Sequence, residues 1–223
     1  MKLATVPGSN SDNCPNATSR GTSGDGQASY TPAYPITFRG RQLVLGYLQT
    51  AVVCVDLQTG DQAWRLVLSH GYDEHSAWPI YREPHLWISA PFRTGCRLLE
   101  ISADDFQWKD VWSREWMSND VCSSVLYGDH LYGFDLFDVQ SKVHRPSRGS
   151  FRCIEFLTGE PVWENGSPRA RRGTEPKPVA GHASLLVADG KLILFNDTGD
   201  LILLNANPDQ FEELARVRLL GGE

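Results

Sequence analysis

From Tyr30 onward the chain alternates short apolar runs with turn residues. Leu43-Val44-Leu45 and Val52-Val53-Cys54-Val55 lead to Thr59-Gly60 and Trp64. Leu86-Trp87-Ile88 and Leu98-Leu99-Glu100-Ile101 lead to Trp108 and Trp112. Leu131-Tyr132-Gly133-Phe134 leads, after a polar insertion, to Cys153-Ile154-Glu155-Phe156 and Trp163. Leu192-Ile193-Leu194-Phe195 and Leu201-Ile202-Leu203-Leu204 close the series. Runs this short, bounded by Gly, Asn and Asp, predict strands of about four to six residues rather than helices. Asp209 to Arg216 has the Glu, Leu and Ala content of a helix. Its place matches the outer strands of the earlier units, so a strand is expected there too.

Residues 8–29 are almost all small and polar. Such a stretch buries too little apolar surface to offset its chain entropy, so residues 1–30 are expected to form a flexible arm. Asn16-Ala17-Thr18 matches a glycosylation sequon, a three-residue pattern common by chance.

The runs repeat. Thr59-Gly60-Asp61-Gln62-Ala63-Trp64 recurs as Thr158-Gly159-Glu160-Pro161-Val162-Trp163, each after an apolar strand ending in an acid, Asp56 or Glu155. A degenerate copy between them ends at Trp112, giving Trp-to-Trp steps of 48 and 51 residues; Val217, 54 residues further on, stands where another Trp is expected. A period of about 40 to 50 residues with four short strands per unit is a propeller signature. Four units result, at 31–68, 75–116, 119–165 and 180–221. In the last, strands are expected at Ser184–Ala188, Lys191–Asn196, Leu201–Ala206 and Phe211–Leu219. They are joined at Asp189-Gly190, Thr198-Gly199-Asp200 and Asn207-Pro208-Asp209. One four-stranded blade cannot bury both faces alone, whereas stacked blades bury each other, and a flat Trp suits that contact. A β-sandwich with two chance-similar turns is the competing reading.

Val53-Cys54-Val55-Asp56-Leu57-Gln58-Thr59-Gly60-Asp61-Gln62-Ala63-Trp64 resembles the repeat of quinoprotein-like propellers: apolar-x-apolar-Asp-x-x-Thr-Gly-x-x-x-Trp. Cys153 to Trp163 is a second copy with Glu155 in place of Asp. Gly181-His182-Ala183-Ser184, Asp189-Gly190-Lys191-Leu192 and Gly199-Asp200-Leu201 resemble a following blade. The resemblance covers about residues 31–221 and implies an all-β propeller of four antiparallel strands per blade. That superfamily includes periplasmic dehydrogenases holding pyrroloquinoline quinone (PQQ) on the propeller axis, and bacterial cofactor-free propellers of the outer-membrane assembly type. Its propellers usually have eight blades. With four here and the sequence stopping at Gly221-Gly222-Glu223, an incomplete ring is expected, a closed four-bladed ring being the alternative.

The resemblance also sets expectations about chemistry. A dehydrogenase of this type needs Ca²⁺ held by Glu, Asn and Asp oxygens beside an Asp base, and calcium wants several such ligands converging. Asp56, Glu155 and Asn205 fall at equivalent repeat positions and so are spread around the ring. The adjacent-cysteine pair typical of the alcohol dehydrogenases is absent from the sequence. Asp56, Thr59, Gly60, Trp64, Trp112, Glu155, Thr158, Gly159, Trp163 and Gly199 are therefore read as a structural repeat motif. No catalytic, cofactor-binding or metal residue is assigned and no cofactor is expected. The expected function is a non-catalytic module, a binding or scaffolding surface for another protein or for further blades. A fragment of a PQQ- and calcium-dependent alcohol or sugar dehydrogenase is the alternative.

Composition narrows this only a little. Across 223 residues, 27 Asp+Glu outweigh 21 Lys+Arg for a formal charge of −6. A negative chain lacks the sequence-independent attraction to phosphate, which argues against nucleic acid as a main partner. No run of about 18 apolar residues exists to span a membrane as a helix. No apolar stretch follows Lys2 to make a secretory signal, although the resemblance implies an extracytoplasmic setting. Seven Trp argue against general disorder.

Cys14, Cys54, Cys96, Cys122 and Cys153 form no CxxC pair and do not fix a redox compartment. His70-Gly71-Tyr72-Asp73-Glu74-His75 is the densest group of metal-ligating types, yet lacks the second pair a structural zinc site wants. Arg169-Ala170-Arg171-Arg172 with Lys177 is the one basic cluster, and reads as a solvated loop. Trp78, Trp87, Trp108 and Trp116 fall off the repeat and are candidates for core packing, a ligand surface or a subunit contact. No Gly-x-Ser-x-Gly elbow, dinucleotide fingerprint or phosphate loop occurs.

Overall fold

The structure is a computed structural model that describes residues 29–68, 75–91, 94–138, 148–166 and 182–221. The regular elements of these residues are all strands, grouped in four four-stranded antiparallel meanders. Blade 1 comprises β1 (Tyr34–Phe38), β2 (Arg41–Tyr47), β3 (Ala51–Asp56) and β4 (Gln62–Val67). Blade 2 comprises β5 (Ile80–Arg82), β6 (His85–Ala90), β7 (Gly95–Ile101) and β8 (Trp108–Arg114). Blade 3 comprises β9 (Val125–Tyr127), β10 (His130–Asp138), β11 (Arg148–Glu155) and β12 (Pro161–Gly166). Blade 4 comprises β13 (Ala183–Ala188), β14 (Lys191–Asn196), β15 (Asp200–Asn205) and β16 (Glu213–Arg218). The helix-like composition of residues 209–216 is overridden by pairing with β15, as expected, because the β15 edge supplies ladder partners that a lone two-turn helix would lack.

Strand register makes the blades equivalent residue by residue. One cross-strand row in each blade runs from the inner to the outer strand. The rows are Tyr34–Leu45–Cys54–Trp64, Ile80–Trp87–Leu98–Trp112, Val125–Tyr132–Cys153–Trp163 and Leu186–Ile193–Leu203–Ala215. Directly after this row each blade carries a register shift between its third and fourth strands, at Cys54/Val55, Leu98/Leu99, Cys153/Ile154 and Leu203/Leu204. A bulge adds one residue to a strand and re-aims the side chains beyond it. Here it brings the Trp onto the same face as the apolar row.

The register corrects one expectation. Ala215, not Val217, pairs with Leu203 as Trp64, Trp112 and Trp163 pair with Cys54, Leu98 and Cys153. Val217 lies one row further on, opposite Leu201. Blade 4 therefore ends its row in a methyl group where the other three end in an indole.

Alternation along each strand then decides the packing, because successive residues face opposite sides. The Trp-bearing face of each blade is its forward face, and the opposite face is its rear. Leu45, Cys54 and Trp64 share a buried cluster with Leu86, Ile88 and Leu99 from the rear of blade 2. Trp87, Leu98 and Trp112 share one with Leu131, Ile154 and Phe156 from the rear of blade 3. Tyr132, Phe151 and Cys153 share one with Leu192, Leu194, Ile202 and Leu204 from the rear of blade 4. Each fully buried Leu, Ile or Phe contributes about 1.5–3 kcal/mol, so these seams are the main stabilising element. No buried cluster among the described residues joins blade 4 to blade 1.

Candidate functional site

The repeat motif is placed at the outer turns, where each blade meets its predecessor. In blade 1 the Asp56 carboxylate accepts from the backbone N–H of Gln58 at 2.7 Å and of Thr59 at 3.1 Å, and pairs with Arg41 Nε at 2.6 Å. The two backbone donors, helped by Arg41 and opposed by burial, hold its pKa below the usual carboxylate range. Thr59 Oγ1 accepts from Asp61 N–H at 3.1 Å, and Gly60, at φ +78°, donates to Asp56 O at 2.9 Å. Blade 3 rebuilds this turn with a longer acid. Glu155 is exposed and accepts from Thr158 Oγ1 at 2.6 Å, Thr158 Oγ1 accepts from Glu160 N–H at 3.2 Å, and Gly159 sits at φ +69°.

Above Gly159 lies the indole of Trp112. A Cβ at position 159 would meet that ring at 2.7–2.9 Å, so glycine is required by both its backbone angle and the ring above it. Trp112 Nε1 donates to Phe156 O at 3.1 Å, and Trp116 Nε1 donates to Gly159 O at 3.3 Å. Trp163 repeats the arrangement on blade 4. It donates to Asn207 O at 2.9 Å, and Phe211 packs edge-on against it at 5.8 Å. On blade 1 the equivalent guest is Phe106 from blade 2, edge-on to Phe38 at 5.5 Å with Arg41 above its ring at 4.2 Å. Outer turns are thus latches, each seated on the blade before it. The latch of blade 1 holds nothing among the described residues: a Cβ at Gly60 would meet none of them within 4 Å.

Gly199 belongs to a different turn. At φ +88° it closes the β14–β15 hairpin, where its N–H donates to Asn196 O at 3.0 Å. Asn205, equivalent to Asp56, bonds Glu212 Oε2 at 2.8 Å in place of a Thr-Gly turn. Asp56, Glu155 and Asn205 each serve their own turn and do not converge. Among the described residues no group of three His, Cys, Asp or Glu side chains is placed to hold a metal. Of the His70–His75 group only His75 is described, and it is buried. Asn16-Ala17-Thr18, Arg169-Ala170-Arg171-Arg172, Lys177, Cys14 and most of the arm at 1–30 lie outside the described residues.

A second feature lies where the inner strands meet. A cavity of ≈ 490 Å³ is lined by Tyr34, Trp78, Tyr81, Ser123, Leu126 and Val187 among others, so all four blades reach it. Trp78 is 47% exposed, stands edge-on to Tyr34 at 5.7 Å, and its backbone N–H donates to Ser123 Oγ at 2.9 Å. The off-repeat tryptophans therefore divide. Trp87 is a core residue, Trp108 and Trp116 flank the seams, and Trp78 lines the axial concavity.

The segment before β9 holds a buried polar network that the sequence pattern missed. Asn119 N–H donates to Ser89 Oγ at 2.8 Å, Asn119 Nδ2 to Phe134 O at 2.7 Å, and Ser124 Oγ to Asn119 Oδ1 at 2.7 Å. It fastens blade 2 to blade 3 beside Trp78. Polar residues between strand patterns read as loop, so only the Ser-Asn-Asp run at 118–120 hinted at it.

Stacked four-stranded meanders with Trp-bearing seams, converging on an axial cavity, decide the architecture. The fold is a β-propeller. No protein-family model matches the sequence, and neither does any curated protein. Solved structures do match. BamB from Moraxella catarrhalis superposes with a TM-score of 0.58 at 16% identity, covering 91% of this chain and 54% of that one. A quinohemoprotein alcohol dehydrogenase from Pseudomonas putida gives 0.58 at 13% identity, covering 87% and 35%. The computationally designed Ika4 protein gives 0.55 at 10% identity, covering 83% and 95%. The chain is thus similar in fold to quinoprotein-like propellers and spans about half the length of BamB.

Proposed function

We propose that this chain is a non-catalytic propeller module that holds a segment of a partner protein in its axial concavity. The observation that carries the reading is Trp78: half-exposed, edge-on to Tyr34, and pinned by Ser123 at the rim of a cavity to which every blade contributes. Large aromatic side chains held rigid in a concave, partly apolar surface are the usual anchors of protein interfaces. The acids of the repeat support the reading from the other side. Asp56 spends its oxygens on two backbone donors and Arg41, and Glu155 on Thr158, so both are committed to turns.

The test is a selection of peptides from a random display library on the immobilised chain, followed by titration of the winners against Trp78→Ala. Loss of at least about tenfold in affinity, the effect of removing an anchor worth 1.4 kcal/mol, is expected. Binders indifferent to Trp78→Ala would refute the assignment to this cavity. Saturable uptake of PQQ with Ca²⁺, accompanied by dye reduction with alcohols or sugars, would overturn the non-catalytic reading in favour of the dehydrogenase alternative.

A further inference from the structure

The two end faces of the blade stack are halves of one seam. On the rear of blade 1, Val44 and Val55 occupy the register positions of Leu86 and Leu99, of Leu131 and Ile154, and of Leu192 and Leu204. Those six residues are all 0–1% exposed, whereas Val44 and Val55 are only partly buried. Leu57 follows Asp56 as Ile101 follows Glu100 and Phe156 follows Glu155. It is 53% exposed against 2% and 0% for those two. On the forward face of blade 4, Ile193 and Leu203 are partly buried where their counterparts in the other three blades are buried, and Leu186 is 59% exposed where Tyr34, Ile80 and Val125 are partly buried. A forward face and a rear face are what every internal seam joins. A chain that ends in one of each is complementary to itself, head to tail.

From this we infer that two copies of the chain close into one ring, the forward face of each blade 4 seated on the rear face of the other copy's blade 1. Two further arguments favour a second copy as the occupant. The chain spans 54% of the BamB chain, so two copies supply about one such propeller's worth of blades. Finally, a head-to-tail contact closes only if its rotation returns to the start, and otherwise makes open filaments. A stack covering half a ring returns after two copies. The apolar area that each end leaves in water is removed twice over.

The experiment measures mass by light scattering and sedimentation on the 223-residue chain and two variants, Phe195→Lys on the forward face and Leu57→Asp on the rear. The wild type is expected at twice 24.9 kDa. Each variant alone breaks both seams and is expected to run as a monomer. Their equimolar mixture is expected to recover the dimer, because it retains one unaltered seam and confines both substitutions to the other. Circular dichroism and melting check that the variants fold, with Leu186→Lys as the substitute should Phe195→Lys unfold. A wild-type monomer at tens of micromolar, a polydisperse polymer, or a dimer indifferent to Leu57→Asp would each overturn the proposal, the last by showing forward faces paired with each other. A mixture of folded variants that stays monomeric would overturn it as well.

Discussion

Replacing Gly159 and Gly60 separately by alanine measures what the outer latch contributes. Both glycines adopt left-handed backbone angles, φ +69° and +78°, in copies of the same six-residue turn. The left-handed region costs a residue with a Cβ roughly 1–2 kcal/mol. Alanine recovers about 0.4–1 kcal/mol of this by restricting the unfolded chain. Gly60→Ala should therefore lower stability by about 1 kcal/mol, since nothing lies within 4 Å of the new methyl. At Gly159 the methyl would meet the Trp112 ring at 2.7–2.9 Å. Overpacking of this kind costs a further 1–3 kcal/mol or so, giving about 2–4 kcal/mol in all. In urea the two variants should separate in midpoint without a change of slope, and in melting by about 2–4 °C per kcal/mol of difference. Indole fluorescence reports both transitions. Coupling is checked with Trp112→Leu, which removes the overlap and should bring Gly159→Ala down to the cost of Gly60→Ala. Equal midpoints for the two single variants would refute the latch, and so would a Gly159→Ala penalty that survives Trp112→Leu.

Four further outcomes are expected. Trp112→Phe loses the donor to Phe156 O and part of the packing over Gly159, and should cost about 1–3 kcal/mol by urea titration. Asp56 is held below its unfolded pKa of about 3.9, so its stabilisation is complete above that value and is lost as pH falls through the lower folded pKa. Asp56→Asn should flatten the acid limb of a stability–pH curve below about pH 4 and lower stability at neutral pH. Burial pushes the thiols of Cys54, Cys122 and Cys153 up to about 12, so in a Cys14→Ser background a disulfide reagent at pH 8 should label these cysteines only as fast as the protein unfolds. Ala215→Trp restores the missing indole opposite the vacant space at Gly60. It should tighten the two-copy ring, read as a lower dissociation midpoint on dilution, and Gly60→Ala should cancel the gain.

Much of this architecture was legible because a propeller writes its register in side chains that recur. Two Thr-Gly turns and three tryptophans were enough to place the strands, since each Trp must lie on the face shared with its third strand. Counting alone, however, led to Val217. A count carries no information about bulges or turn lengths, and blade 4 replaces the six-residue Thr-Gly turn with one built on Asn205, Asn207 and Glu212. The ladder pairs Leu203 with Ala215, a step of 52 residues from Trp163, in line with the earlier 48 and 51. The network around Asn119 was not legible for a different reason. Its partners Ser89 and Phe134 lie on strands of two blades, and hydrogen bonds from a connecting segment to distant strands leave no periodic trace.

The alanine at 215 fits the rest of the geometry. An indole at 215 would stand on an end face, with no turn of this copy beneath it, and large exposed aromatics on a blade edge invite pairing with any other strand or face. Alanine removes that hazard while the aliphatic row Leu186–Ile193–Leu203 keeps the face suited to a valine-rich partner. The rear of blade 1 is built of smaller side chains as well. Val44 and Val55 are smaller than the leucines and isoleucine at equivalent positions, and Leu57 stands where the larger Phe156 lies against Trp112 in the internal seam. That seam holds an indole and a phenyl ring together, so a leucine at 57 leaves space for an indole at 215, and alanine there makes the contact looser. Both ends therefore carry smaller side chains than the internal seams, the pattern of a contact weaker than those within one copy, and an indole restored at 215 is expected to strengthen it.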